Sequence, residues 1–411
     1  MLKERVDVAN SNSLQSSKHY ANWIPMKEIS SSNDRLYPFP IYNRIRKTSP
    51  VRYDDERKCW DIFSYEDVQF VLKNPKLFSS KRGGNMEGKS ILTMDPPKHT
   101  KMRAIVNKAF TPKAVKELEP HIEEVTAFLF NEAKQKDLFD VVDDLAAPLP
   151  VIIIAELLGV PAEDRLMFKH YSDILVAGAE DRSAEAAEQM YKRREEGNRF
   201  LADYFKNIIK QRKKEPKDDL ISLLLRAEVD GKSLTEEELL NFCIILLVAG
   251  NETTTNLIAN SVRYLTEDKA TQEAVRQDLS LVPVFVEETL RYYPPVQAIG
   301  RTAAEDLDIK GVRIAKGSTV INWVASANRD ELKFDDPDSF KLDRKSNPHM
   351  SFGFGIHFCL GAPLARLEAK VALDYLLRHA SVEKDSSEEL EAIQSPFVFG
   401  VRHLPVRLSQ K

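Results

Sequence analysis

A capping box, Thr235-x-x-Glu238, opens an uninterrupted helical period that runs from Glu236 to Thr266. At ~1.5 Å per residue such a helix is about 46 Å long. In a domain of this size it must cross the interior, and the rest of the chain has to pack around it. Its composition breaks in the middle. Gly250 costs roughly 1 kcal/mol of helix propensity relative to alanine. Beside it, Ala249-Gly250-Asn251-Glu252-Thr253-Thr254 sets an acid and two hydroxyls into an otherwise apolar run. Small residues leave room for a ligand, and a threonine can bond back to a carbonyl one turn earlier and widen the helix locally. Taken by itself, the segment reads equally well as a kink whose polar groups are satisfied within the helix.

A second segment breaks the tie. The stretch Phe352-Gly-Phe-Gly355-Ile-His357-Phe-Cys359-Leu-Gly361 sets a lone cysteine among glycines and aromatics, just ahead of a helix-forming run from Ala362 to His379. A thiolate there sits at a helix N-terminus, where free N–H groups and the macrodipole favour negative charge. Gly355 and Gly361 withhold side chains where the backbone approaches something flat, and Phe352 and Phe358 offer aromatic faces. A single thiolate on an apolar platform is one way proteins ligate haem iron. Most cysteines are inert interior residues, and Cys59, in a strand-like run, and Cys243, in the apolar helix, are read that way. With three cysteines there is no even disulfide framework, which fits a reducing cytosol.

This loop resembles the haem-ligand loop of the cytochrome P450 family, Phe-x-x-Gly-x-x-x-Cys-x-Gly. The hexapeptide Ala249–Thr254 is similar to that family's Ala/Gly-Gly-x-Asp/Glu-Thr-Thr/Ser oxygen-activation motif. The resemblance extends over nearly the whole chain from about Tyr37 and implies haem b as cofactor. It makes Cys359 the iron ligand and sets Ala249, Phe352 and Gly361 against the haem. Thr253 becomes the hydroxyl of oxygen activation and Glu252 the acid that relays protons from solvent. Glu288-Thr-Leu-Arg291, ahead of Pro294-Pro295, looks like the family's Glu-x-x-Arg, with Arg344 as third member of a structural brace. Positions i and i+3 share a helix face, although a pair so spaced is by default an exposed one of little energetic consequence. His99 and Arg103, one helical turn apart, together with Arg301 and His357, match the positions that hold the haem propionates. Alignment to the motifs places Ile91, Leu92, Ile245, Val248, Val296, Ala298 and Phe397 around a substrate. All are apolar, as a pocket for a lipophilic molecule requires, and bases in the loop around Lys81–Lys89 could hold an anionic end of it.

Helical periods dominate the remainder: Tyr65–Lys73, Lys98–Ala109, Lys113–Lys134, Pro148–Leu158, Ala162–Ala177, Ala184–Lys213, Asp219–Ala227, Lys269–Leu279, Val282–Tyr292 and Pro363–Arg378. Strand signals are short. Val51–Tyr53 pairs with Trp60–Phe63, and Asp308–Ile314 with Thr319–Trp323 across Lys316-Gly317, as two hairpins. The fold class is therefore mainly α with a small β region, one haem domain over 37–411 preceded by a polar, partly frayed segment 1–36. A net charge of -4, from 63 acids and 59 bases, excludes a strongly basic nucleic-acid surface. The N-terminus lacks the apolar core of a signal peptide. The longest apolar run, Cys243–Ala249, falls far short of the ~20 residues of a membrane span. The expectation is a cytoplasmic, monomeric monooxygenase, without membrane or nucleic-acid partner, that acts on a steroid, fatty acid or terpenoid. It would use O2 and electrons from a separate ferredoxin or flavodoxin, since no flavin or iron–sulfur module follows. Two alternatives are a peroxide-driven peroxygenase of the same fold, in which arginine and proline replace the acid–threonine pair, and a non-catalytic haem or gas sensor, which would not need that pair.

Overall fold

The computed structural model describes residues 24–81, 88–108, 110–136, 138–177, 183–385, 387 and 389–410. The capping box forms in full. The Thr235 hydroxyl accepts the Glu238 N–H at 3.2 Å, and the Glu238 carboxylate accepts the Thr235 N–H at 3.0 Å. Helix Glu236–Glu267 follows and is buried on every side from Thr254 to Leu265. Polar residues in that stretch find partners: the Asn260 amide donates to the carbonyls of Tyr293 and Phe399, and Ser261 to that of Leu257. By length and composition this helix could cross a membrane, but 67% of its most apolar stretch is buried inside the fold, so it is the core rod of a packed domain.

Two apolar cores divide the rod. Around its second half pack helices Glu119–Ala133, Val282–Tyr292 and Ala362–His379. Around its first half pack Arg165–Val176, Ala184–Lys214 and Leu220–Arg226, with Pro148–Leu157 shared between the two. A third core lies under a five-stranded sheet. Its strand order is Val51–Asp54, Cys59–Ile62, Thr319–Asn322, Ile299–Ala303, Phe78–Ser79. A three-stranded sheet joins Ala380–Lys384, Pro405–Gln410 and Phe139–Asp140 near the C-terminus.

Val51–Asp54 and Cys59–Ile62 form the expected hairpin, but the second one pairs differently. Leu307–Ile309 pairs with Val312–Ile314, and Thr319–Asn322 runs parallel to Cys59–Ile62 and antiparallel to Ile299–Ala303. The turn is Lys310-Gly311, with φ of 52° and 80°, the left-handed pair that suits a two-residue hairpin. Lys316-Gly317 is only a loop. The single helix expected over 113–134 is two, Pro112–Glu117 and Glu119–Ala133, because Pro120 has no N–H to continue the ladder and sits in the first turn of the second.

Of the segment expected to fray, residues 1–23 lie outside the described residues. From residue 24 onward the chain is packed: Met26 and Ile29 are in the core, and Ser31 and Asp34 cap helix Ser32–Leu36. Helix Phe39–Thr48 follows, which the sequence reading passed over.

Candidate functional site: the cysteine loop and the central helix

The cysteine loop is held by backbone. The Cys359 N–H donates to the Phe352 carbonyl at 2.9 Å, and Gly353 and Gly355 take left-handed φ of 73° and 71°. At Gly355 a Cβ would come within 2.8 Å of the Leu72 carbonyl oxygen, so this glycine answers to the neighbouring helix Tyr65–Lys73 and not to a ligand. A Cβ at Gly361 would meet no atom within 4 Å. Burial pushes the Cys359 thiol up. The Gly361 N–H, the Arg103 charge, the Ala362 N–H and the Arg366 charge act in the opposite direction. The helix start alone does not win that contest; a metal cation at the sulfur, the largest local charge, would reverse it. Cys59 and Cys243 are fully buried, and burial drives Cys59 up to about 12.

His99 supplies the most telling observation. Its ring is 2% exposed, yet neither nitrogen has a hydrogen-bond partner among the described residues. It lies 4.1 Å, centroid to centroid, from the ring of His357, whose Nε2 is 2.9 Å from the Ser80 hydroxyl. Burial lowers its proton affinity, the charge of Arg103 lowers it further, Asp95 offsets part of this and Arg301 adds to it. Arg301 is buried and donates to the Gly300 carbonyl, while Arg103 is half-buried, near enough to Cys359 for the two charges to interact. Buried nitrogens without partners are costly, and cations gathered this way call for anions. A flat group bearing two carboxylates and a metal that takes a thiolate fits these residues: His99, Arg103, Arg301 and His357 for the carboxylates, Cys359 for the metal, and Gly361 bare beside it.

A buried ion network reaches the start of the loop through Asn328, whose carbonyl accepts from Arg291 and whose side chain holds Met350 and Ser351. Arg291 is 0% and Glu288 1% exposed, and the two make a bidentate pair at 2.6 and 2.9 Å. Arg344 meets the same carboxylate at 3.1 and 3.2 Å, and the Lys341 N–H and the Asn347 amide add to it. The remaining guanidinium N–H groups of Arg291 reach the carbonyls of Asn328, Pro337 and Ser339. A second clamp was not anticipated. Glu287 binds Arg366 at 2.6 and 2.9 Å and His349 at 3.2 Å. Burial opposes ionisation of Glu287, but these hydrogen bonds and charges prevail and hold its carboxyl near 2. Arg366 in turn lies 4.5 Å over the Phe352 ring. Nothing local in sequence announces a pair 79 residues apart.

In the central helix, the Thr253 hydroxyl donates to the Ala249 carbonyl at 2.7 Å, and Ala249 is exposed in the midst of a buried rod. Glu252 looks elsewhere. Successive helical side chains diverge by about 100°, and Glu252 borders a cavity of about 630 Å³ that Thr253 does not line. Burial raises its proton affinity, Asp173 raises it further, and the Asn256 amide and Lys169 partly offset the rise. The acid and the alcohol therefore share no direct hydrogen bond, and a proton passing between them needs water. Also unanticipated, Glu368 is buried against Thr254, and burial drives its carboxyl up to about 8.

The apolar set is divided between the two cores that pack on the central helix. Ile91, Ile245 and Val248 join the first-half core, where Leu360, next to Cys359, also packs. Ala298 and Phe397 belong to the second-half core, and Val296 bridges to Val398. Ala298 and Ile91 are buried as core residues, and Leu92 is 41% exposed. Of the loop expected to hold an anionic end, residues 82–87 lie outside the described residues.

The family model described as "Cytochrome P450" matches residues 53–409. "Cytochrome P450 109" of Bacillus spizizenii is 64% identical over 396 residues, covering 96% of this chain and 97% of that one. "Erythromycin C-12 hydroxylase" of Saccharopolyspora erythraea is 42% identical, covering 88% and 92%. Among solved structures, CYP109E1 from Bacillus megaterium in complex with testosterone is similar, with a TM-score of 0.89 and 46% identity over 92% of this chain and 99% of that one.

Proposed function

The chain belongs to the cytochrome P450 family of haem monooxygenases, and from that premise we propose that it hydroxylates a lipophilic molecule of the steroid, fatty-acid or terpenoid class. Haem b, when bound, supplies the oxygen chemistry. Its propionates would be held by His99, Arg103, Arg301 and His357, its iron by Cys359, and its faces would lie against Phe352, Gly361 and Ala249. The chain's own work is placement and proton delivery. Thr253 keeps a hydroxyl at the Ala249–Gly250 notch, and Glu252, with its raised proton affinity, holds a proton at the edge of the cavity. Two protons must arrive for each oxygen atom inserted, which an acid with a water-linked alcohol provides. Glu288, Arg291 and Arg344 brace the loop that bears the ligand. Electrons would come singly from a separate ferredoxin or flavodoxin, to a monomer in the cytoplasm that has no membrane or nucleic-acid partner.

The observation that carries the substrate class is the chemistry of the expected lining. Ile245, Val248, Val296, Ala298 and Phe397 offer no side-chain donor and no ion. The testosterone complex of a relative 46% identical supports it. Burying ~300 Å² of apolar ligand at ~25 cal/mol per Å² yields roughly 7 kcal/mol before the entropic cost of association, so micromolar affinity is the expected ceiling. Titration of the holoprotein with testosterone, a long-chain fatty acid and a terpenoid should shift the haem spin state for at least one of them. Val248→Phe should block the larger ligands before the smaller. Tight binding of a small, highly charged metabolite, with no response to any of these three, would overturn the assignment.

A further inference from the structure

The cavity beside Glu252 has two unlike walls. One is the central helix, through Glu252, Thr255 and Asn256; another is the C-terminal segment, through Ile393, Ser395 and Val398. Asn256 is 1% exposed and joins them. Its amide nitrogen donates to the Glu252 carbonyl at 2.7 Å and to the Glu252 carboxylate at 3.2 Å. Its amide oxygen lies against Gly400 so closely that a Cβ there would be 1.7 Å from it and 2.6 Å from Cγ. No L side chain fits at Gly400 unless Asn256 moves, and Asn256 is the side chain that holds the Glu252 carboxylate.

The segment ahead of Gly400 is itself seated on the expected substrate wall. The Gln297 N–H donates to the Phe397 carbonyl at 2.7 Å, the Phe399 N–H to the Pro295 carbonyl at 2.8 Å, and Val398 bridges Val296. The chain therefore runs without a break from the residues that hold Val296 and Phe397 to Gly400, which abuts Asn256. We propose that Asn256 is a positioning residue that ties the substrate-lining segment 395–400 to the Glu252 carboxylate, so that the bound substrate sets how well protons are delivered. This rests on the substrate-lining and relay roles proposed above for Phe397 and Glu252.

The charges that border the same cavity come from every element around it: Lys169 and Asp173 from helix Arg165–Val176, Arg193 from Ala184–Lys214, Asp143, and Arg402 with His403 from the C-terminal segment. Lys169 and Asp173 are ion-paired at 2.9 Å, and His403 sits 3.3 Å from Asp143. Among the groups that act on Glu252, Asp173 raises its proton affinity, while Asn256 and Lys169 lower it. Removing the amide donor therefore moves the acid limb of Glu252 to higher pH.

The test uses the holoenzyme with one large and one small substrate. Asn256→Ala should bind haem normally, lose product per electron severalfold, shift its pH profile upward and couple the two substrates alike. Gly400→Ala should reproduce the coupling loss alone, yet add little in the Asn256→Ala background, where the methyl meets only the Cβ of residue 256, at 3.3 Å. Should Gly400→Ala fail to fold, the pH profile of Asn256→Ala decides by itself. In a Glu252→Gln background, Asn256→Ala should change nothing further. Wild-type coupling with an unshifted profile in Asn256→Ala, or additive losses with either Gly400→Ala or Glu252→Gln, would overturn the link alone. Wild-type coupling in Glu252→Gln would overturn the relay reading and this one with it.

Discussion

Cys359→Ser is expected to fold, to lose the thiolate-type absorption of the reduced carbon monoxide complex, and to form no detectable hydroxylated product. The fold survives because the turn is built without the sulfur: the Cys359 N–H holds the Phe352 carbonyl, and Gly353 and Gly355 supply the left-handed backbone. The chemistry is lost because no other cysteine can substitute. Burial raises all three thiols, and at Cys59 and Cys243 there is no helix start to act against it. Only Cys359 receives backbone N–H groups at a helix start, together with the charges of Arg103 and Arg366. A serine hydroxyl is a far weaker acid than a thiol and donates less electron density to iron. The absorption spectrum and product analysis are the measurements. A persisting thiolate spectrum would assign the ligand elsewhere.

Arg291→Ala is expected to fail earlier, at the level of the holoprotein. Truncation leaves Glu288 buried with Arg344 alone as counter-charge and strands the carbonyls of Asn328 and Pro337, while that of Ser339 keeps Arg344. Breaking a buried pair from one side costs about 3–5 kcal/mol, a large share of the ~5–15 kcal/mol that a domain has in total. Because Arg291 holds Asn328, which in turn holds Met350 and Ser351 at the start of the cysteine loop, haem content should fall before solubility does. The ratio of haem to protein, read beside the thermal midpoint, is the check. A soluble variant with full haem and an unchanged midpoint would reduce the network to an incidental ion pair.

What could be read from the sequence was mostly local. Helix Val282–Tyr292 has the bounds its period predicts, and the central helix runs one residue past Thr266 to Glu267, because a capping box and an unbroken apolar pattern are strong signals. The second hairpin was misplaced because Lys316-Gly317 and Lys310-Gly311 look alike in sequence. Only the latter closes a two-residue turn, and Thr319–Asn322 is claimed by strands far away in the chain. The Glu288–Arg291 pair follows from its spacing, but its burial depends on segments 37 to 56 residues downstream. Adjacent numbers misled in one respect: Glu252 and Thr253 are neighbours in sequence and face different ways on the helix. Asn256, Gly400, Glu287 and Arg366 went unnoticed because their partners meet only in the folded chain.

The most direct measurement is isotopic. Reduced holoprotein, supplied with a ferredoxin or flavodoxin system, a spin-shifting substrate and labelled dioxygen, should yield product carrying one labelled oxygen, the other labelled atom appearing as water. Thr253→Ala should still consume reductant yet release more peroxide and less labelled product, since the hydroxyl held at Ala249 is the group placed to govern protonation. Product that forms only when peroxide is supplied, takes its oxygen from that peroxide and is indifferent to Thr253→Ala would contradict the account and make this chain a peroxygenase.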